Sequence, residues 1–271
     1  MRTRFLMNKL DRIEEREQKR RHRNDLALDR LRADPTRYMT AAGMVPDPWQ
    51  RALLSTDADR ILLLCSRQAG KSTVAAALAL KAALSLPGSP VLLLSPSIRQ
   101  STELFRRTMD LFAAIGRPIG IVAASALRLE LTNGSRIISL PGTEGTVRGF
   151  SGVSLLIIDE AARVSDALYY AVRPMLAVSR GRLAALSTPF GQRGWFHQEW
   201  SGTGAWKRVK ITAPECPRIS AEFLAEESRA LGERWYRQEY LCSFEDVVDA
   251  VFAFADIQAA LSDEVKPLFA E

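Results

Sequence analysis

Two hydrophobic periods alternate along the chain. Unbroken apolar runs at residues 61–64, 91–94, 155–158 and 183–186 have the length and composition of buried strands. Helical spacing follows most of them and predicts helices over 72–85, about 98–115 and 166–177. Residues 127–131 and 136–140 flank Asn133-Gly134, a hairpin signal, because both residues tolerate the positive φ that a tight turn requires. Residues 206–212 predict an edge strand, 220–231 and 233–241 two helices, and 246–271 a peripheral tail. Upstream, residues 4–32 predict a charged, sparsely apolar helix that ends at Asp34-Pro35. Pro46 and Pro48 favour an extended entry before a short helix that opens at Trp49. Strand, helix, strand in this order predicts an α/β fold with a mainly parallel sheet covered on both faces. The expected organisation is a charged helical arm over 1–40, a core over 41–212 and a C-terminal helical segment over 213–271.

Charge changes this picture only at the N-terminus. The formal net charge is +6, and residues 1–37 carry 12 Lys and Arg against 7 Asp and Glu. Such an arm suits nucleic acid or an acidic partner. The interspersed Asp11, Glu14, Glu15 and Glu17 equally suit a salt-bridged, solvated helix. Cys65, Cys216 and Cys242 are odd in number and widely spaced, which points to a reducing intracellular setting rather than a disulfide framework. With them, His22 and His197 do not make a zinc pattern. No apolar run approaches the ~18–20 residues of a membrane span, so no membrane partner is expected. The charged N-terminus lacks the apolar stretch of a secretory signal.

Candidate chemistry sits at three strand ends. In Leu64-Cys65-Ser66-Arg67-Gln68-Ala69-Gly70-Lys71-Ser72-Thr73, a buried strand meets a helix N-terminus through a glycine-containing turn. Backbone N–H groups there suit phosphate, Gly70 permits close approach, Lys71 carries the charge for β- and γ-phosphates, and the Ser72 hydroxyl suits Mg²⁺. Cys65 stands where the usual phosphate-loop pattern has glycine. Asp159-Glu160 closes a second buried strand, 88 residues after Lys71. Its first acid suits the Mg²⁺ shell and its second a general base that polarises water. Ser187-Thr188-Pro189 closes a third strand. Its hydroxyls suit sensing of the γ-phosphate, or form a polar strand terminus closed by proline.

These motifs, in this order, resemble the ATPase domain of the viral (tailed bacteriophage) terminase large subunit. Pro48-Trp49-Gln50 is similar to the family's adenine-contacting segment, and residues 235–242 are similar to the segment that closes the domain. The likeness runs from about residue 46 to residue 254. It implies a P-loop NTPase of the ASCE/RecA-like type, with a mainly parallel sheet and a small C-terminal helical subdomain. It implies ATP and Mg²⁺ as cofactors, with nucleotide bound by Gln50, Ser66, Arg67, Gln68, Ala69, Gly70, Lys71, Ser72 and Thr73. Ser72 and Asp159 would hold metal, Glu160 and Arg67 would act in catalysis, and Ser187 and Thr188 would couple hydrolysis to movement. Arg148 resembles the arginine that such motors offer to a neighbouring subunit, with a DNA-phosphate contact or a surface charge as the competing readings.

The resemblance further implies translocation of double-stranded DNA into a procapsid by a homo-oligomeric ring, with the portal protein and the small terminase subunit as partners, in the host cytoplasm. A helicase-like or repair ATPase is the alternative. Arg99, Arg106, Arg107 and Arg128 are candidate DNA contacts. The family's large subunit also carries a C-terminal nuclease domain. With the sequence ending at Glu271, no nuclease activity is expected of this chain.

Overall fold

The structure is a computed structural model that describes residues 2–142 and 149–245, with only the backbone of residues 2–10. Eight strands form one sheet: β1 (Arg60–Cys65), β2 (Pro90–Ser95), β3 (Ile121–Ala124), β4 (Arg128–Leu131), β5 (Arg136–Pro141), β6 (Leu155–Asp159), β7 (Arg182–Ser187) and β8 (Lys207–Ile211). Their spatial order is β3-β4-β5-β2-β6-β7-β1-β8. From β5 to β8 every neighbouring pair is parallel, and β3-β4 and β4-β5 are antiparallel.

The apolar runs become central strands because both sheet faces are covered. Along β1, Ile61, Leu63 and Cys65 join one core cluster while Leu62 and Leu64 join the other. Helices α1 (Arg2–Ala33), α2 (Arg37–Thr40), α3 (Pro48–Leu54), α4 (Lys71–Ser85) and α5 (Ile98–Ala114) contribute to the first cluster. The second is closed by α6 (Asp166–Val172) and α7 (Gly194–Ser201), where Trp195 stacks on Tyr169 at 3.8 Å. Helix α4 is alanine-rich, and every residue from Val74 to Leu80 is buried, so small side chains let it lie close under the sheet. Two further helices, α8 (Ala221–Leu231) and α9 (Glu233–Glu239), form a minor cluster through Leu224 and Tyr240.

The C-terminal end of the arm packs on the core, with Leu31 buried and Leu28 against the first cluster, while residues 11–23 are exposed. Several elements depart from the sequence reading. The helix expected over 166–177 is α-helical only to Val172, and Arg173–Leu176 tightens to a 3₁₀ turn at Pro174. Strand β3 and helix α7 have no counterpart among the expected elements. Cys65, Cys216 and Cys242 are distant in sequence yet converge on the end of β8: Cys65 pairs with Ile211 in register, Cys242 Sγ donates to Ile211 O, and Cys216 Sγ donates to Thr212 O. All three are free and buried. Among the described residues no helix is long and apolar enough to cross a membrane.

Candidate functional site

The parallel strands bring their C-terminal ends together, and the three motifs meet there. After β1 the chain turns through Ser66–Gly70, with Gln68 at φ 59° and Gly70 at φ 97°, and enters α4 at Lys71. The turn is anchored from behind: Ser66 N–H donates to Ile211 O at 3.0 Å and Arg67 N–H to Glu239 O at 3.3 Å. Gly70 is favoured by its left-handed backbone, and a Cβ there would lie 2.6 Å from Gln50 Nε2 and displace the end of that side chain.

Strand β6 ends opposite this turn. Lys71 Nζ lies 3.1 Å from Glu160 Oε1, and Ser72 Oγ donates to Asp159 Oδ2 at 3.3 Å. Glu160 N–H donates to Asp159 Oδ1 at 3.1 Å. Glu160 itself sits in the left-handed region at φ 51°, a conformation uncommon for a residue with a Cβ and one that gathers at functional sites. Burial pushes the Asp159 carboxyl up from its ordinary 3.8 to about 6, with the Lys71 charge opposing and Glu160 reinforcing the rise. Burial acts to lower the Lys71 pKa, but the Cys65 sulfur, Glu160 and Asp159 outweigh it and raise the value. Burial also holds the Cys65 thiol well above its usual range, so the thiol is uncharged at neutral pH and the lysine's ion pair is with Glu160.

One hydroxyl and one carboxylate fit a small divalent cation. Mg²⁺ typically takes one or two protein oxygens and completes its shell with water and substrate phosphate. Among the described residues there is no cluster of three or more His, Cys, Asp or Glu able to hold a metal unaided. Ser72 and Asp159 therefore suit a cation that arrives with phosphate. A 480 Å³ cavity opens beside them, lined also by Glu160, Arg99, Gln100 and Glu103.

The remaining sequence candidates fall around this centre. Ser187 Oγ accepts from Ala162 N–H at 3.1 Å, which ties the end of β7 to the turn that follows Glu160, and both Ser187 and Thr188 are buried. Gln50 is buried, and its Oε1 accepts from Asp47 N–H at 2.9 Å in a capping box on α3, leaving Nε2 near Gly70. Ala69 is buried within the turn. Arg67 pairs with Glu239, Nε to Oε2 at 2.7 Å. Arg148 lies outside the described residues.

Three DNA-contact candidates are already engaged. Arg107 Nη1 donates to Thr73 Oγ1 at 3.0 Å, so it buttresses the phosphate turn. Arg106 pairs with Glu103 and Asp110, and Arg128 pairs with Glu130. Arg99 lines the cavity beside Asp159. Sequence reasoning missed Asp47, Arg218 and Glu239. The Asp47–Gln50 spacing carries a capping-box signature that marks the first; the other two are brought in only by the fold.

A RecA-like P-loop fold with paired acids facing the phosphate turn defines a class of nucleotide-binding protein. The family model described as "Terminase large subunit, T4likevirus-type, N-terminal" matches residues 62–259, and the chain belongs to that family. It is 25% identical over 235 residues to the terminase large subunit of Escherichia phage T5, covering 81% of this chain and 53% of that protein. The chain thus spans about half the length of this relative. Among solved structures, the large terminase ATPase domain of Thermus phage P74-26 superposes with a TM-score of 0.67 at 21% identity, over 76% of this chain and 96% of that one. The large terminase of a thermophilic bacteriophage, solved in complex with ADP, gives 0.61 at 14%, over 77% and 52%. At these identities the two structures speak for the fold.

Proposed function

We propose that the chain is an ATP-hydrolysing motor unit that drives double-stranded DNA into a viral procapsid. The observation that carries this reading is the convergence of Lys71 and Ser72, just after β1, with Asp159 and Glu160 at the end of β6, across the intervening β7. In this reading the N–H groups of residues 66–73 cradle the triphosphate, and Lys71 lies against its β- and γ-phosphates. Mg²⁺, held by Ser72 and Asp159, neutralises phosphate charge. Glu160 orients and polarises the attacking water. Arg67 leaves Glu239 for the γ-phosphate, and Gln50 reads the adenine edge through Nε2. The Ser187–Ala162 hydrogen bond transmits changes at Glu160 to β7, with Thr188 beside it. The ADP complex of the thermophilic phage's terminase supports a nucleotide as ligand.

Family membership supports the packaging role, with the portal protein and small terminase subunit as partners and a homo-oligomeric ring in the host cytoplasm as the working form. Arg148 would be offered to the neighbouring subunit's nucleotide. With Arg106 and Arg128 neutralised, the better surface for DNA phosphates is a 680 Å³ cleft lined by Arg20, Arg21, Arg23 and Arg117, none of which has a carboxylate partner among the described residues.

Phosphate release measured against protein concentration tests the function. The expected result is Mg²⁺-dependent ATP turnover that rises faster than linearly as rings form and is lost in Glu160→Ala with ATP binding retained. Turnover in Glu160→Ala near that of the wild type contradicts the assignment.

A further inference from the structure

We propose that Arg218 is a nucleotide-positioning residue that latches the base-side segment to the phosphate turn and so sets base selectivity; this rests on the site's being a nucleotide pocket. Arg218 lies in the turn after β8, where Ile219 N–H donates to Cys216 O at 3.0 Å. Its guanidinium grips the Asp47 carboxylate with two bonds, Nη1 to Oδ1 at 2.7 Å and Nη2 to Oδ2 at 2.8 Å. Nη2 also donates to Ala69 O, inside the phosphate turn, at 3.0 Å. Asp47 is only 6% exposed, and among the described residues Arg218 is its ion-pair partner. Asp47 in turn caps α3 and gives its backbone N–H to Gln50 Oε1. A continuous chain of polar contacts therefore runs from Ala69 O through Arg218 and Asp47 to Gln50.

This chain borders one cavity. About 570 Å³ of space lies among Met39, Met44, Pro46, Gln50, Gly70 and Arg218, with a mainly apolar lining. A purine fits such a slot, stacked on the apolar side with its edge towards the Gln50 amide. The distance from that amide to the phosphate turn must match the distance from base to phosphate in the nucleotide, and the Arg218–Asp47 pair fixes it. A forked guanidinium can hold two carboxylate oxygens and a carbonyl at once, whereas an ammonium is a point charge without that geometry. The Lys71–Glu160 pair lies outside this chain of contacts, so loss of the latch affects binding of the base before it affects the chemical step.

The test uses Arg218→Lys and Asp47→Asn in the full chain, with ATP, GTP and inorganic tripolyphosphate as probes. Each variant is expected to raise the KM for ATP about tenfold while kcat stays within about twofold, in line with loss of a charge-assisted pair. The preference for ATP over GTP should fall, tripolyphosphate inhibition should hold, and the double variant should be no worse than the worse single one. Should Asp47→Asn fail to fold through loss of its buried ion pair, Arg218→Lys alone decides. An unchanged KM for ATP in Arg218→Lys, or equal weakening of ATP and tripolyphosphate, overturns the latch and leaves the nucleotide site standing. A wild-type protein that binds neither ATP nor tripolyphosphate overturns both.

Discussion

Lys71 Nζ lies 3.1 Å from Glu160 Oε1, so the cation of the phosphate turn is paired with the carboxylate proposed as catalytic base. A triphosphate competes with Glu160 for this lysine. Binding of ATP would release Glu160 to water and so tie activation of the base to arrival of substrate. Glu160→Gln removes the competing charge. It should bind ATP at least as tightly as the wild type while turnover falls by about 10²–10⁴, the usual contribution of a positioned base. Equilibrium binding with single-turnover hydrolysis measures both. Weaker binding together with near-normal turnover contradicts the pairing.

Lys71→Ala removes the charge from both the phosphate and the acids. ATP affinity should drop by about a hundredfold or more, equivalent to roughly 3 kcal/mol for a desolvated, charge-assisted contact. Titration calorimetry with a non-hydrolysable analogue reads this directly, and an unchanged Kd removes the phosphate-turn assignment.

Burial of Asp159 makes a prediction about pH. Its folded-state pKa of about 6, against an ordinary 3.8, means that folding takes up a proton between those values. The burial penalty is absent below about pH 4, grows as pH rises and is complete above about pH 6. In metal-free buffer, Asp159→Asn should gain stability relative to the wild type across that window, by up to about 3 kcal/mol at neutral pH. Denaturant melts of both proteins at several pH values provide the test, and a difference independent of pH counts against it.

Arg67 and Glu239 join the phosphate turn to α9 through an ion pair at 2.7 Å and a backbone hydrogen bond at 3.3 Å. Withdrawal of Arg67 towards a γ-phosphate leaves the nearly buried Glu239 carboxylate without its cation. Hydrogen exchange in residues 233–241 should therefore accelerate with an ATP analogue and not with ADP. Equal protection in both states would separate α9 from the nucleotide.

Much of this site was legible because its chemistry is local. Strand, turn and helix around Gly70 occupy consecutive residues, and Asp159-Glu160 follows an apolar run that can only be a buried strand in such a pattern. Strand β3 escaped because all four of its residues are exposed, so burial imposes no alternation on them. Helix α7 is eight residues long, opens on a glycine and carries Trp195 and Phe196 into the second core, a tertiary demand that its spacing does not announce. Arg218 stands 171 residues from Asp47, and neither lies in a motif that names the other. Arg106, Arg107 and Arg128 read alike in sequence, and only their neighbours in the fold distinguish structural cations from free ones.

The central claim is that the turn at Gly70 wraps a triphosphate whose metal is held by Ser72 and Asp159. A crystal structure with Mg²⁺ and a non-hydrolysable ATP analogue tests it most directly. The expected result is β- and γ-phosphates against the backbone of residues 66–73, a cation touching Ser72 Oγ with Asp159 in its shell, and Glu160 released from Lys71. Nucleotide bound elsewhere, with Lys71 still on Glu160, would contradict it.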